Sequence, residues 1–194
     1  MTTSRRALLS GFLAMPLVLV ASALARGQPA PLLPLTRACE DGDEPTLARE
    51  AGPFFRPNAP LKRDLHLDAP SGEPITIAGY VTDSRCRPLP ESLIEIWHAD
   101  ENGDYDRQGY RLRGHQFTDE QGRWWFNTVM PALYPGRTRH FHFRVQRPGG
   151  AVLTTQLFIP GEPANAHDWL FDETLLIATT DTGDGRFGRF DFVL

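Results

Sequence analysis

The chain has 194 residues, enough for one domain at the usual ~100–200 residues each. Its 20 Lys and Arg against 24 Asp and Glu leave a net charge of −4, which argues against a basic nucleic-acid binder. Hydrophobic residues at 41% exclude a disordered chain, and 17 Gly with 17 Pro favour short strands and turns over long helices.

Residues 1–25 read as a targeting segment. Arg5-Arg6 precede an apolar run from Leu8 to Leu24, and Ala23-Leu24-Ala25 is a small-x-small cleavage pattern. The arginine pair marks a twin-arginine-type signal and predicts a periplasmic or secreted protein. The run is broken by Ser10, Gly11, Pro16 and Ser22, short of the ~20 clean residues of a spanning helix, so no membrane partner is expected after cleavage. The two cysteines, Cys39 and Cys86, are free to pair in an oxidising compartment; the sequence leaves the disulfide open.

Residues 26–51, Pro-rich and then acidic, predict an extended arm, and residues 52–194 the folded domain. Gly52-Pro53-Phe54-Phe55-Arg56-Pro57 is a stiff aromatic turn segment. Strand-like runs follow at Ile75–Val81, Ser92–Trp97, Arg123–Val129, His140–Gln146, Leu153–Ile159, Glu173–Thr179 and Phe187–Leu194. Turn clusters separate them at Asp100–Asp104 and Thr118–Gly122, and the stretch Ala99–His115 reads as a long loop. The expected fold class is all-β, a β-sandwich with long functional loops and an extended N-terminal arm.

The stretch Tyr134-Pro-Gly-Arg-Thr-Arg-His140-Phe-His142-Phe-Arg-Val carries the most chemistry. As a strand it places His140, His142 and Arg144 on one face and Phe141, Phe143 and Val145 on the other. The two imidazoles then stand roughly 6.6 Å apart at the Cα level, within reach of one metal ion. Tyr134 lies just upstream and Tyr105 sits in the turn Asn102-Gly103-Asp104-Tyr105. A tyrosinate is a hard anionic oxygen donor suited to Fe(III), and two of them with two imidazoles and a hydroxide make a neutral ferric site. The competing readings are a secreted, non-enzymatic β-sandwich binding module and a cupin-like Fe(II) enzyme with a facial carboxylate. No Asp or Glu stands in register beside His140-Phe-His142, which disfavours the second.

From Gly52 to Phe158 the sequence resembles the intradiol ring-cleavage dioxygenases, close to the protocatechuate 3,4-dioxygenase type. The pieces occur in the family's order: Gly52-Pro53-Phe54-Phe55, Gly79-Tyr80-Val81-Thr82-Asp83, Ile94-Glu95-Ile96-Trp97-His98-Ala99-Asp100, Gly103-Asp104-Tyr105 and Leu112-Arg113-Gly114. Phe117-Thr118-Asp119 with Gly122, Met130-Pro131 with Tyr134, Arg137 with His140-Phe141-His142, and Leu153-Thr154-Thr155-Gln156 complete them. The resemblance implies Tyr105, Tyr134, His140 and His142 as ligands of a non-heme Fe(III), with Tyr105 and His140 equatorial and Tyr134 and His142 axial. It implies Arg137, Gln156 and Tyr134 as catalytic residues: Arg137 meeting negative charge on the ring, Gln156 orienting substrate or O₂, Tyr134 taking a substrate proton. The implied reaction is cleavage of a catechol with O₂ to a cis,cis-muconate-type diacid, with no further cofactor. His98 and Trp97 are expected to be structural, and His115 and His167 to be surface residues. Three departures stand out: Cys86 where the family often has a turn Gly, Phe54-Phe55 where many relatives carry Tyr, and Gly136 where protocatechuate-type enzymes carry a bulkier aromatic. The last two leave the choice of catechol open. A homo-oligomer also stays open; residues 26–51 are too few and too Pro-rich for the helical dimerisation region of catechol-type relatives.

Overall fold

The structure, a computed structural model, describes residues 44–194; the targeting segment, the arm as far as residue 43 and Cys39 lie outside the described residues. The strands in chain order are β1 (Pro74–Thr82), β2 (Leu93–His98), β3 (Arg113–Phe117), β4 (Arg123–Val129), β5 (His140–Gln146), β6 (Leu153–Phe158), β7 (Ala178–Asp181), β8 (Arg186–Arg189) and β9 (Phe192–Val193). Among the described residues the only helical pieces are short 3-10 segments at Leu65–Asp68, Pro163–His167 and Glu173–Leu175. The predicted all-β sandwich is the observed architecture. One sheet runs β4-β1-β8-β7 with β9 also paired to β1; the other runs β3-β2-β5-β6.

The alternating apolar positions decide which faces meet. Ile75, Ile77 and Val81 of β1 and Trp124 and Phe126 of β4 pack into one cluster with Ile94 and Ile96 of β2 and Phe141, Phe143 and Val145 of β5. Phe143 of β5 lies 5.4 Å from Trp124 and 5.3 Å from Phe192, which ties the two sheets together through aromatic contacts. Each such fully buried side chain stabilises the fold by about 1.5–3 kcal/mol. β5 runs between β2 and β6, so its backbone is paired on both edges and its outward residues are held firmly.

β1 changes partner midway: it pairs with β8 as far as Ala78 and with β9 from Val81. At the changeover the bend at 190–191 presses onto Gly79, where a Cβ would lie 1.7 Å from the carbonyl oxygen of Phe190. Only glycine permits that approach.

Three predicted spans are corrected. Glu173–Thr179 does not form one strand; it opens as a 3-10 turn capped by Asp172, and β7 starts at Ala178. Phe187–Leu194 divides into β8 and β9 at that same bend. The loop from Ala99 stops at Leu112, because Arg113–Phe117 forms β3. That strand lacks an apolar alternation and is created by its pairing with β2 and by the bridge from Leu61 to His115. Cys86 has φ 57°, the left-handed backbone that glycine adopts freely, and is disulfide-bonded.

Candidate metal centre

β5 turns one face into the core and the other into the site. Phe141, Phe143 and Val145 join the core, while His140 and His142 are equally buried on the opposite face. His142 stands opposite Trp97 of β2 and Gln156 of β6, and Trp97 stands opposite Arg113 of β3. Paired residues share a face, so Arg113, Trp97, His142 and Gln156 form one row across the sheet.

Three donor atoms converge on this row. His140 Nε2 lies 3.1 Å from His142 Nε2 and 3.2 Å from the Tyr105 hydroxyl. Two donors each about 2.1 Å from a first-row metal ion and about 90° apart sit about 3 Å from one another. The residues therefore fit a metal ion. The tautomer fits too: His140 Nδ1–H donates to the Thr138 carbonyl at 2.6 Å, which leaves Nε2 with its lone pair. His142 Nδ1 is buried with no hydrogen-bond partner. Its ring is held by packing instead, stacked on Trp97 at 5.0 Å and 3°, with Gly52 so close that a Cβ there would lie 3.4 Å from His142 Cε1.

The electrostatics keep the donors neutral in the protein alone. Burial, then the Arg137 charge, lowers the His140 pKa to about 4. Burial and then His140 lower that of His142 well below the usual imidazole value. Burial raises the Tyr105 phenol, opposed by Arg137 and Arg113. A bound cation reverses that last preference by favouring the phenolate.

The tyrosines come from loops. Tyr105 sits between two turns capped by carboxylates: Asp100 accepts the N–H groups of Asn102 and Asp104, and Asp106 accepts those of Gln108, Gly109 and Arg111. Its ring stacks on Phe54 at 4.3 Å. Tyr134 opens the turn Tyr134-Pro135-Gly136-Arg137, closed by Arg137 N–H to the Tyr134 carbonyl at 2.8 Å. Proline second and a glycine of φ 78° third match a type II turn. The half-buried Tyr134 ring lies edge-on to Tyr105 at 5.9 Å and to Phe54 at 5.4 Å. The four predicted ligands thus stand together: Tyr105, His140 and His142 meet at their donor atoms, and the Tyr134 ring lies against Tyr105.

Arg137 lies beside them. Its Nε donates to both oxygens of Asp168 at 3.0 and 2.9 Å, and its Nη2 to Gln156 Oε1 at 2.5 Å. Gln156 is wholly buried and its Nε2 donates to the Glu50 carbonyl at 2.8 Å. Both functional ends of that amide are therefore engaged, and Gln156 bears on the site by holding Arg137. Sequence reasoning missed Asp168; no motif marks it, and only folding brings it to Arg137. It also missed the seat that Trp97 and Gly52 form for His142.

The other histidines divide. His98 is buried, donating from Nδ1 to the Ala99 carbonyl and accepting at Nε2 from Thr128, the structural role expected of it. His115 is corrected from a free surface residue to a half-buried one that donates to the Ala59 carbonyl at 2.7 Å. His167 is exposed and lines a cleft of about 480 Å³ with Leu133, Tyr134, Gly136 and Arg137. A larger cleft of about 630 Å³ beside Leu61, Leu67 and Phe117 contains none of the converging donors, so chemistry rather than size locates the site.

A two-sheet sandwich presenting two histidines and two tyrosines from one strand and two loops defines a class, and comparison with known proteins names it. The Dioxygenase family model, Dioxygenase_C, matches residues 50–194. The chain belongs to the intradiol ring-cleavage dioxygenase family. It is 30% identical to the protocatechuate 3,4-dioxygenase beta chain of Burkholderia cepacia, over 89% of this chain and 86% of that one. It is 36% identical to a hydroxyquinol 1,2-dioxygenase of Rhodococcus opacus over 65% of this chain, and spans about half of that relative (49%). Among solved structures it matches the dioxygenase domain of a dioxygenase carbohydrate-binding protein fusion from the cellulolytic bacterium Streptomyces sp. SirexAA-E. That match has 48% identity and a TM-score of 0.76, covering 78% of this chain and 98% of that one.

Proposed function

We propose that this protein is a non-heme Fe(III) intradiol dioxygenase, cleaving a catechol-type diol with O₂ to a cis,cis-muconate-type diacid. The observation that carries the proposal is the convergence of His140 Nε2, His142 Nε2 and the Tyr105 hydroxyl within 3.2 Å of His140 Nε2. Tyr105, Tyr134, His140 and His142 would hold the metal. Ferric iron, when bound, supplies a Lewis-acidic centre that takes a deprotonated diol and draws electron density from its ring.

The chain's own residues do the rest. His140 and His142, neutral through burial, are ready as ligands without losing a proton. The half-buried Tyr134, which would hold the metal as its phenolate, would take a proton from an incoming diol at that oxygen and become the neutral phenol. Arg137 offers Nη1 hydrogens, which have no partner among the described residues, to negative charge developing on the ring. Gly136 leaves the cleft open there: a Cβ added to it would meet nothing within 4 Å. We further propose export through the twin-arginine-type segment, supported by the sequence pattern at residues 1–25.

The test is a visible spectrum of iron-supplied, folded protein, before and after anaerobic addition of catechol. A broad tyrosinate-to-iron band that moves to longer wavelength on addition is expected. A colourless protein holding no iron would overturn the proposal and favour the binding-module reading.

A further inference from the structure

Asp168 is a carboxylate that neither the donor set nor the family motifs use. Its side chain is 0% exposed, where an unpaired charge would be costly. It is fully paired. Arg137 Nε reaches both oxygens, Thr138 N–H donates to Oδ2 at 2.8 Å, and Leu170 N–H donates to Oδ1 at 2.9 Å.

We propose that Asp168 is a positioning residue that sets two parts of the site at once: the guanidinium of Arg137 and, through Thr138, the imidazole of His140. The proposal rests on the roles given above to those two residues. The first limb is the guanidinium. A planar fork bound at Nε by Asp168 and at Nη2 by Gln156 has its plane fixed. Nη1 is then left to the cleft that Arg137 lines with Tyr134 and Gly136. The second limb is Thr138. Its N–H is held by Asp168, its hydroxyl donates to Asn165 Oδ1 at 2.7 Å, and its carbonyl accepts Nδ1–H of His140. Asn165 lies in the 3-10 turn Pro163–His167 and Asp168 caps its C-terminal end. One short turn after β6 therefore grips the residues entering β5 and sets both the donor direction of His140 and the donor edge of Arg137. A merely structural ion pair would anchor Arg137 alone.

The test uses the full chain with four variants: Asp168→Asn, Asp168→Glu, Arg137→Ala and the double variant Arg137→Ala/Asp168→Asn. Iron affinity is read by chelator competition, catechol affinity by anaerobic titration of the visible band, and kcat and KM at saturating iron. For Asp168→Asn, kcat is expected to fall about 10–100-fold and iron affinity about tenfold. KM and anaerobic catechol affinity should change by less than about threefold, the pattern of a lost transition-state interaction. Arg137→Ala should lower kcat and leave iron affinity unchanged. In that background Asp168→Asn should cost no further kcat beyond about twofold, yet still weaken iron, which separates the two limbs. Native kcat and iron affinity in Asp168→Asn, or full additivity of the kcat losses, would overturn the proposal. Should the Asn variant fail to fold, Asp168→Glu decides: it keeps the charge but displaces it, and both losses are expected in smaller measure, with native values overturning the idea. A wild-type protein that binds iron but cleaves no diol sinks the functional reading instead, and the iron affinity of Asp168→Asn then still decides the His140 limb.

Discussion

Replacing Trp97 with alanine removes the surface against which His142 is held. Trp97 is 1% exposed, lies parallel to the His142 ring at 5.0 Å, and is itself covered by Phe55 at 5.1 Å. Truncating a buried tryptophan costs about 3–5 kcal/mol, a large part of the about 5–15 kcal/mol that holds a domain folded. The functional share is separate. His142 Nδ1 has no hydrogen bond, so on that side of the ring packing supplies the orientation. Freeing it returns about 1 kcal/mol of rotamer freedom, which is roughly a fivefold loss of metal affinity. Trp97→Phe keeps an aromatic face and also removes a buried indole N–H that has no partner, so it should cost about 1–2 kcal/mol and leave iron affinity near native. Urea denaturation gives the stability terms, and chelator competition under conditions where each variant is folded gives the affinities. A folded Trp97→Ala protein that binds iron as tightly as the parent would refute the claim that packing orients His142.

Gly79→Ala should lose about 2–6 kcal/mol in a thermal or urea melt. The clash with the Phe190 carbonyl must break two bonds, Phe190 N–H to the Ala78 carbonyl and Tyr80 N–H to Asp191 Oδ1, at about 1–3 kcal/mol each; an unchanged midpoint would show that the bend at 190–191 relaxes freely. At Asp100, burial opposes ionisation, but the Arg111 hydrogen bond and the N–H groups of Asp104 and Asn102 outweigh it and lower the pKa. The stability it contributes is therefore complete above the unfolded value of about 3.9 and is lost as pH falls through the lower folded value. Melts of Asp100→Asn and parent should differ at pH 7, begin to approach one another as pH falls below about 4, and converge only below the lowered folded value, and a gap that persisted below it would refute this. Tyr134→Phe should retain some iron while weakening both the visible band and turnover, whereas His142→Ala should lose most of the iron; identical colour and iron content in both would dismantle the ligand set.

The sequence reading succeeded where side-chain period and local chemistry coincide. β5 is legible because His140-Phe-His142-Phe-Arg-Val alternates strictly, so its inner face had to be apolar and its outer face had to carry both imidazoles. β3 was not legible, since Arg113-Gly-His-Gln-Phe carries no alternation and becomes a strand only through β2 and the 60–62 segment. The division of Phe187–Leu194 was equally hidden, because it depends on the backbone of residue 190 reaching Gly79 from a distant part of the chain. The site shows the same boundary. Arg137 stands three residues before His140 and could be picked out by its motif. Asp168 could not, because a lone carboxylate in Ala166-His167-Asp168-Trp169 gains its meaning only when the turn after β6 folds against residues 137–138.

The manner in which each donor is held also ranks them by freedom to move. His140 and His142 ride on a strand paired on both edges, and one is locked by Thr138 while the other is clamped by Trp97. Tyr105 is buried, face-stacked on Phe54, and set between two turns whose carboxylates accept five backbone N–H groups. Tyr134 has none of these restraints. Its ring makes only edge contacts, its turn closes with one hydrogen bond, and the residue after Pro135 is a glycine with open space around it. The proposed reaction needs one donor to yield its place and accept a proton while the others keep the geometry, and the loose hold on Tyr134 supports giving it that part. Local opening takes place where buried contacts are few, and of the four proposed ligands Tyr134, which lines the cleft, is the least restrained.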